Sequence, residues 1–387
     1  MRRRSASSQH RAGAPRPPEG PGDTWGRAGR RAEDIRRPRR RWQPQRLRIG
    51  DAAGPSGPAD HGARAAADPA FYKRACTHYI QPGATTVFGR LGLTSRLEAA
   101  GAVPNGIDLW TRYGWIRPPD EGLYGYNVRR SVLDPMLRDA AAGTPGVDLR
   151  LGVKATGLIR RGGRVEGVQA TDHTGEEQRF PGRVVVGADG RHFPVASWAG
   201  VPVKKRKHGR FIYFASFEDV PLPRGPRSLM WFTDPDVAYV FPNDGGTTVV
   251  AVMLTADELA DFRRDVDGNL RRLVAGLPDA PDLSRARRVS DYVGVPHHPD
   301  VSRRAAAPGL ALVGDAAPTT DYQWGVGCGW ALESAVWLAD GIGPVLSGPA
   351  PDTSARSTGR SGATPTGTTA PSPRTTSSSR TSRAGGP

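Results

Sequence analysis

Residues 310–335 read LALVGDAAPTTDYQWGVGCGWALESA. An apolar run closed by Gly-Asp, then glycines at 325, 327 and 329, then the helical apolar spacing of ALESAVWLAD restrict this stretch to strand, loop and helix N-terminus. LALVG is short and wholly apolar, as a strand buried on both faces should be. Asp315 then lies just past the strand's carboxyl end, where open α/β sheets gather their ligand contacts. Glycine there lets backbone N–H groups approach an anionic or ring-shaped ligand, and the helix N-terminus adds a favourable dipole. A tight turn with close helix packing would ask for the same glycines, so this segment alone leaves both readings open.

A second run ends in the same way. RVVVGADGRHFPVAS (183–197) is an apolar strand followed by Asp189 and Gly190. By itself Asp189 is a turn residue. Two strands ending in an Asp beside a Gly, about 125 residues apart, point to one shared site.

The 387-residue chain has a formal charge of +16, which at first implies a polyanionic partner. The position of the charge argues otherwise. Residues 1–50 hold 15 Arg against 4 acids and residues 351–387 hold 5 Arg against 1, so the remainder carries 34 basic against 33 acidic side chains. A nearly neutral body offers no basic groove for nucleic acid. Cys76 and Cys328 are far apart and form neither a disulfide framework nor a metal cluster pattern, which makes a reducing cytoplasm the expected compartment. No apolar run approaches the roughly 20 residues of a membrane span.

Residues 1–68 (Arg, Pro, Gly, Ala) and 346–387 (Ser, Thr, Gly, Pro, Arg) lack apolar periodicity, and both are expected to be disordered tails. Between them, 83–103 reads as a helix and 128–143 as a second helix with Pro135 inside it. Strand-rich text follows through 147–190 and 210–255, then a helical stretch at 256–277. His297 and His298 have no third ligand at a metal-binding spacing and are read as loop histidines.

VVVGADGRHFPVA resembles the Asp-Gly motif of FAD-dependent aromatic hydroxylases, and VGDAAPTTDYQWGVGCGWALESA resembles their Gly-Asp motif. This is the p-hydroxybenzoate hydroxylase-like family, related to flavin-dependent halogenases and geranylgeranyl reductases. In VRRSVLDPMLRD, Arg130, Leu133 and Leu137 match the family's arginine–leucine–leucine helix, and FYKRACTHYIQPGATTVFGRLGL places Arg74 at a cofactor-contacting arginine. The resemblance covers about residues 70–342 and implies a mixed α+β / α/β fold. Its parts would be a discontinuous glutathione reductase-like FAD-binding domain (69–200 and 285–345) and a mixed-sheet substrate domain (201–284). It also implies cofactor contacts at Arg74, Arg130, Asp189, Gly190, Gly314, Asp315, Gly325, Val326 and Gly327. NAD(P)H would be the reductant, and O2 and a small aromatic or polyketide-like molecule the substrates. No general base is nominated, and no metal.

The chain departs from the family at Phe193, Ala196, Pro318 and Tyr322, so substrate preference does not transfer. The W-x-W-x-I-P string of halogenases is absent, which leaves a prenyl-chain reductase as the alternative within the fold. The G-x-G-x-x-G unit that seats a pyrophosphate on a helix N-terminus is also absent from residues 1–68. The FAD-binding domain is therefore expected to be incomplete, without its first βαβ unit. Two further expectations follow: out-of-frame ends around a flavoprotein middle, or an inactive remnant with an Arg-rich nucleic-acid-binding arm.

Overall fold

The computed structural model describes residues 68–119, 124–191 and 194–348, and the backbone of 47–50. The disorder expected of the two ends lies outside the described residues, with one difference. Leu47–Gly50 is a strand, β1, paired in parallel with β7 (Val147–Arg150). The alternation in LRIG is four residues long, too short to be read as a strand without its partner.

β2 (Tyr79–Ile80), β3 (Val103–Pro104) and β6 (Tyr126–Asn127) form a small sheet in the order β2–β6–β3. α1 (Gly83–Arg90) and α2 (Thr94–Ala99) occupy the stretch that reads as one helix. The chain breaks between them at Gly92, whose φ of +70° no continuing helix accommodates. α3 (Arg130–Ala142) contains Pro135, as the sequence predicts. It packs Leu133 and Met136 against Ile80, Phe88, Leu97 and Tyr126.

β8 (Lys154–Arg161), β9 (Arg164–Thr171) and β10 (Glu177–Pro181) are an antiparallel meander. β11 (Val185–Gly187) then pairs in parallel with β21 (Leu310–Leu312), which pairs with β20 (Ala306–Ala307). α4 (Pro194–Trp198) follows β11, and β12 (Val203–Arg206) pairs with β19 (Asp300–Arg303).

The largest sheet has eight strands. β17 (Arg287–Arg288) and β18 (Val293–Val295) flank one side of β13 (Arg210–Glu218). β16 (Thr248–Thr255), β15 (Val237–Pro242) and β14 (Ser228–Phe232) continue it to β4 (Ile107–Thr111) and β5 (Gly114–Ile116). Alternate residues fill two cores. Phe211, Phe217, Trp231, Val240 and Val250 face one side with Leu270 and Val274 of α6 (Val266–Ala275). Ile212, Phe214, Met230, Tyr239, Phe241 and Val249 face the other, with Tyr79 and Tyr322 against them. The stretch 256–277 reads as one helix but is three pieces: a 3-10 turn at 256–258, α5 (Leu259–Phe262) and α6. Asp265 restarts the helix by accepting from the Gly268 N–H.

The mixed helix and sheet class matches the sequence reading. α7 (Gly327–Leu346) closes the described chain, after 3-10 turns at 314–316 and 322–324.

Candidate functional site

The parallel pairing of β11 with β21 puts Gly187 level with Leu312, and the Val313 N–H donates to the Gly187 carbonyl at 3.0 Å. Both strands therefore end at one edge, and both acids follow directly. Asp189 is buried at 3% exposure. Its Oδ2 accepts from the Val195 N–H at 3.1 Å, while Oδ1 has no hydrogen-bond partner among the described residues. An orphaned buried carboxylate oxygen costs about 1–3 kcal/mol or more, so it marks a place where a partner belongs. Gly190 follows it at the strand end.

Asp315 is half-buried beside the first turn of α7. A Cβ at Gly327 would lie 3.8 Å from its Oδ1, and no side chain caps this helix. The first N–H groups of a helix have no partner within it, so the end of α7 is partly positive and favours the carboxylate. Asp315 also meets the Lys73 ammonium at 3.4 Å. Gly314 spends its N–H on the Ser334 hydroxyl at 2.9 Å, which docks the turn on α7. Gly325 is left-handed at φ +61°, and a Cβ there would stand 3.0 Å from Tyr79 Cδ1, so both backbone angle and space call for glycine. Val326 is the helix N-cap.

Arg130 opens α3 and is engaged: Nε donates to Asp134, and Nη1 donates to Cys328 Sγ at 3.5 Å. The Lys73 N–H donates to the other oxygen of Asp134 at 3.0 Å. Lys73, Asp134, Arg130, Cys328 and Asp315 thus form one connected group. Arg74 stands apart: it is exposed, with no side-chain bond among the described residues, and its neighbour Lys73 makes the contact with Asp315.

His298 links the two turns. Its Nδ1 accepts from Arg191, next to Gly190, and its Nε2 donates to the Thr320 carbonyl at 3.2 Å, in the segment after Asp315. Burial, then Arg191 and His208, push the ring down to about 4, against the pull of Asp315, so it is neutral near pH 7. The sequence offered no sign of this, because its partners Arg191 and Thr320 come from separate segments.

Between the glycine turn and the large sheet lies a small cavity lined by Thr77, Tyr79, Met230, Tyr239, Phe241 and Tyr322–Gly325. Tyr239 donates to the Gln323 carbonyl at 2.7 Å and pins the turn to the sheet. Of the eight aromatics between 210 and 255, Tyr239 and Phe241 reach the cavity.

A family profile described as "FAD binding domain" matches residues 66–360. Digeranylgeranylglycerophospholipid reductase of Methanosarcina mazei is 29% identical over 222 residues, 53% of this chain and 50% of that protein. The 3-(3-hydroxy-phenyl)propionate/3-hydroxycinnamic acid hydroxylase of Burkholderia cenocepacia is 27% identical over 237 residues, 60% of this chain and 42% of that one. This chain therefore spans about half the length of these relatives. Among solved structures, the flavin-dependent brominase Bmp2 aligns with TM-score 0.64 and 19% identity over 79% of this chain and 80% of that one. PqsL of Pseudomonas aeruginosa, in complex with 2-aminobenzoylacetate, aligns with TM-score 0.59 and 19% identity over 78% and 80%. Likeness at that identity shows a common fold. Two parallel strands ending in adjacent acids, a glycine turn opening α7 and a profile spanning most of the sequence agree: this chain belongs to the FAD binding domain family.

Proposed function

We propose that this chain acts as an FAD-dependent oxidoreductase, and specifically as a monooxygenase of an aromatic or polyketide-like small molecule. The observation that carries the reading is the level pairing of β11 with β21, which sets Asp189 and Asp315 at one edge. The residues present fit a flavin nucleotide. Asp189 has a buried, unpartnered oxygen able to accept from a ribose or ribityl hydroxyl. The uncapped start of α7 offers N–H groups at Val326 and Gly327 to an electron-rich ring edge. Bound there, FAD would supply two-electron chemistry, taking a hydride from NAD(P)H and passing electrons to O2.

The chain's own residues do the rest. Asp315 would accept from the hydroxyls of the ribityl chain, its charge offset by Lys73 and the α7 terminus. Arg130, held by Asp134 and Cys328, keeps a positive charge beside the glycine turn, and the exposed Arg74 would supply a second cation for phosphate. Met230, Tyr239 and Phe241 form an apolar wall that excludes water from a flat substrate. We place substrate binding in 201–284, the cofactor in 69–200 with 285–345, and the activity in the cytoplasm.

FAD titration of the purified full chain tests this by fluorescence. Asp315→Ala and Asp189→Asn should each weaken binding at least about tenfold. Equal affinity in wild type and both variants would remove the assignment. A second reading, reduction of a prenyl chain, is favoured by the apolar cavity wall together with the Methanosarcina relative. Product analysis with and without O2 separates the two: hydroxylation requires oxygen, and double-bond reduction proceeds without it.

A further inference from the structure

Cys76 and Cys328 are 252 residues apart in sequence, yet the fold sets them side by side. Cys76 lies just before β2 and Cys328 in the first turn of α7. The two segments run against each other: a Cβ at Gly325 would be 3.0 Å from Tyr79 Cδ1, and one at Gly329 would be 3.5 Å from Gln81 Cβ. Arg130 joins the two segments, since its backbone N–H donates to His78 Nδ1 at 3.3 Å and its guanidinium reaches Cys328. The His78 N–H donates to Cys76 Sγ at 3.3 Å and Arg130 Nη1 to Cys328 Sγ at 3.5 Å, and both cysteines are half-buried.

We propose that Cys76 and Cys328 are a redox couple, which a low-molecular-weight disulfide closes into a Cys76–Cys328 bond. Each sulfur accepts from a donor, Cys76 from the His78 N–H and Cys328 from Arg130, so either can serve as the attacking thiolate while the other resolves. With oxidised glutathione, the Cys76 sulfur bonds to one glutathione sulfur and expels the other as a thiolate. Cys328 then loses its proton to solvent, and its sulfur attacks the Cys76 sulfur and expels the second glutathione thiolate. Two protein thiols are oxidised and one small disulfide is reduced to two thiols. Closure ties the segment that carries Thr77 and leads into Tyr79 of β2 to the glycine turn, fixing two walls of the cavity.

The test incubates the full chain in glutathione buffers of rising oxidised fraction, quenches with acid and alkylating agent, and maps peptides by mass spectrometry. A peptide linking Cys76 to Cys328 within one chain should accumulate as the oxidised fraction rises. Cys328→Ser should stop at a glutathione adduct on Cys76, and Cys76→Ser at an adduct on Cys328, with no linked peptide in either. Adducts or intermolecular dimers without the linked peptide in wild type, or thiols that stay free throughout, would overturn the proposal. Wild-type mapping depends on no variant folding and reads sulfur chemistry whether or not flavin binds.

Discussion

Asp108 is fully buried on β4, and three arginines answer it: Arg224 and Arg227 through Nε at 2.8 Å, and Arg117 at 3.8 Å. Removing the acid takes the short ion pair from the least exposed of these, Arg227, so Asp108→Ala should cost about 3 kcal/mol in urea unfolding. Arg224→Ala should cost less, since Arg227 still satisfies the carboxylate. His298 gives a pH dependence of definite sign. Its ring is held neutral down to about 4 in the folded protein, whereas an unfolded histidine takes its proton near 6.5. The unfolded state therefore binds more protons between those values, and stability should fall as pH drops from about 6.5 to 4, by up to about 3 kcal/mol. His298→Gln should flatten that slope in pH-dependent denaturation. Neither role was legible in the sequence. Asp108 sits in a stretch that carries no motif and His298 reads as a loop histidine, because the groups that define them arrive from elsewhere in the chain.

At the level of elements, legibility followed pattern length. The β-branched and aromatic runs between 210 and 255 and the Gly-Asp strand ends are visible because several consecutive residues already mark them as strands. Two-residue strands such as β2 and β6 carry no period, and the pairing of β4 with β14 joins segments more than a hundred residues apart. Breaks within helices depended on single residues, Gly92 and Asp265. Gly325 is the turn position most sensitive to change. Gly325→Ala forces a left-handed alanine against Tyr79 and should cost about 1–2 kcal/mol, read by thermal unfolding with a change in the Tyr79 environment. α7 is unusual in another way. Gly329 is its sole buried residue, while Trp330, Trp337 and Val345 are 40%, 66% and 66% exposed. Trp337→Gln should therefore shift stability by less than about 0.5 kcal/mol and reduce binding of an apolar dye.

Across the whole molecule, the described strands divide the parallel pairing among three sheets, β1 with β7, β11 with β21 and β4 with β14. β11 is an edge among the described residues, and its Val186 is 44% exposed. Residues 1–68 contain no G-x-G-x-x-G to supply the donors that usually seat a pyrophosphate. The full chain should consequently purify with little flavin, and a stoichiometric yellow spectrum would contradict this. The site's two acids were legible because each followed a readable strand; the lysine, the histidine and the paired sulfurs around them were not, since only tertiary contact assembles them. The split faces of the eight-stranded sheet carry an evolutionary consequence. Residues 229, 231, 238 and 240 anchor one side, whereas 230, 239 and 241 look into the cavity. Volume-conserving exchanges at the second set, each costing under about 1.5 kcal/mol, would let descendants of this chain change which molecules they admit while inheriting their scaffold intact.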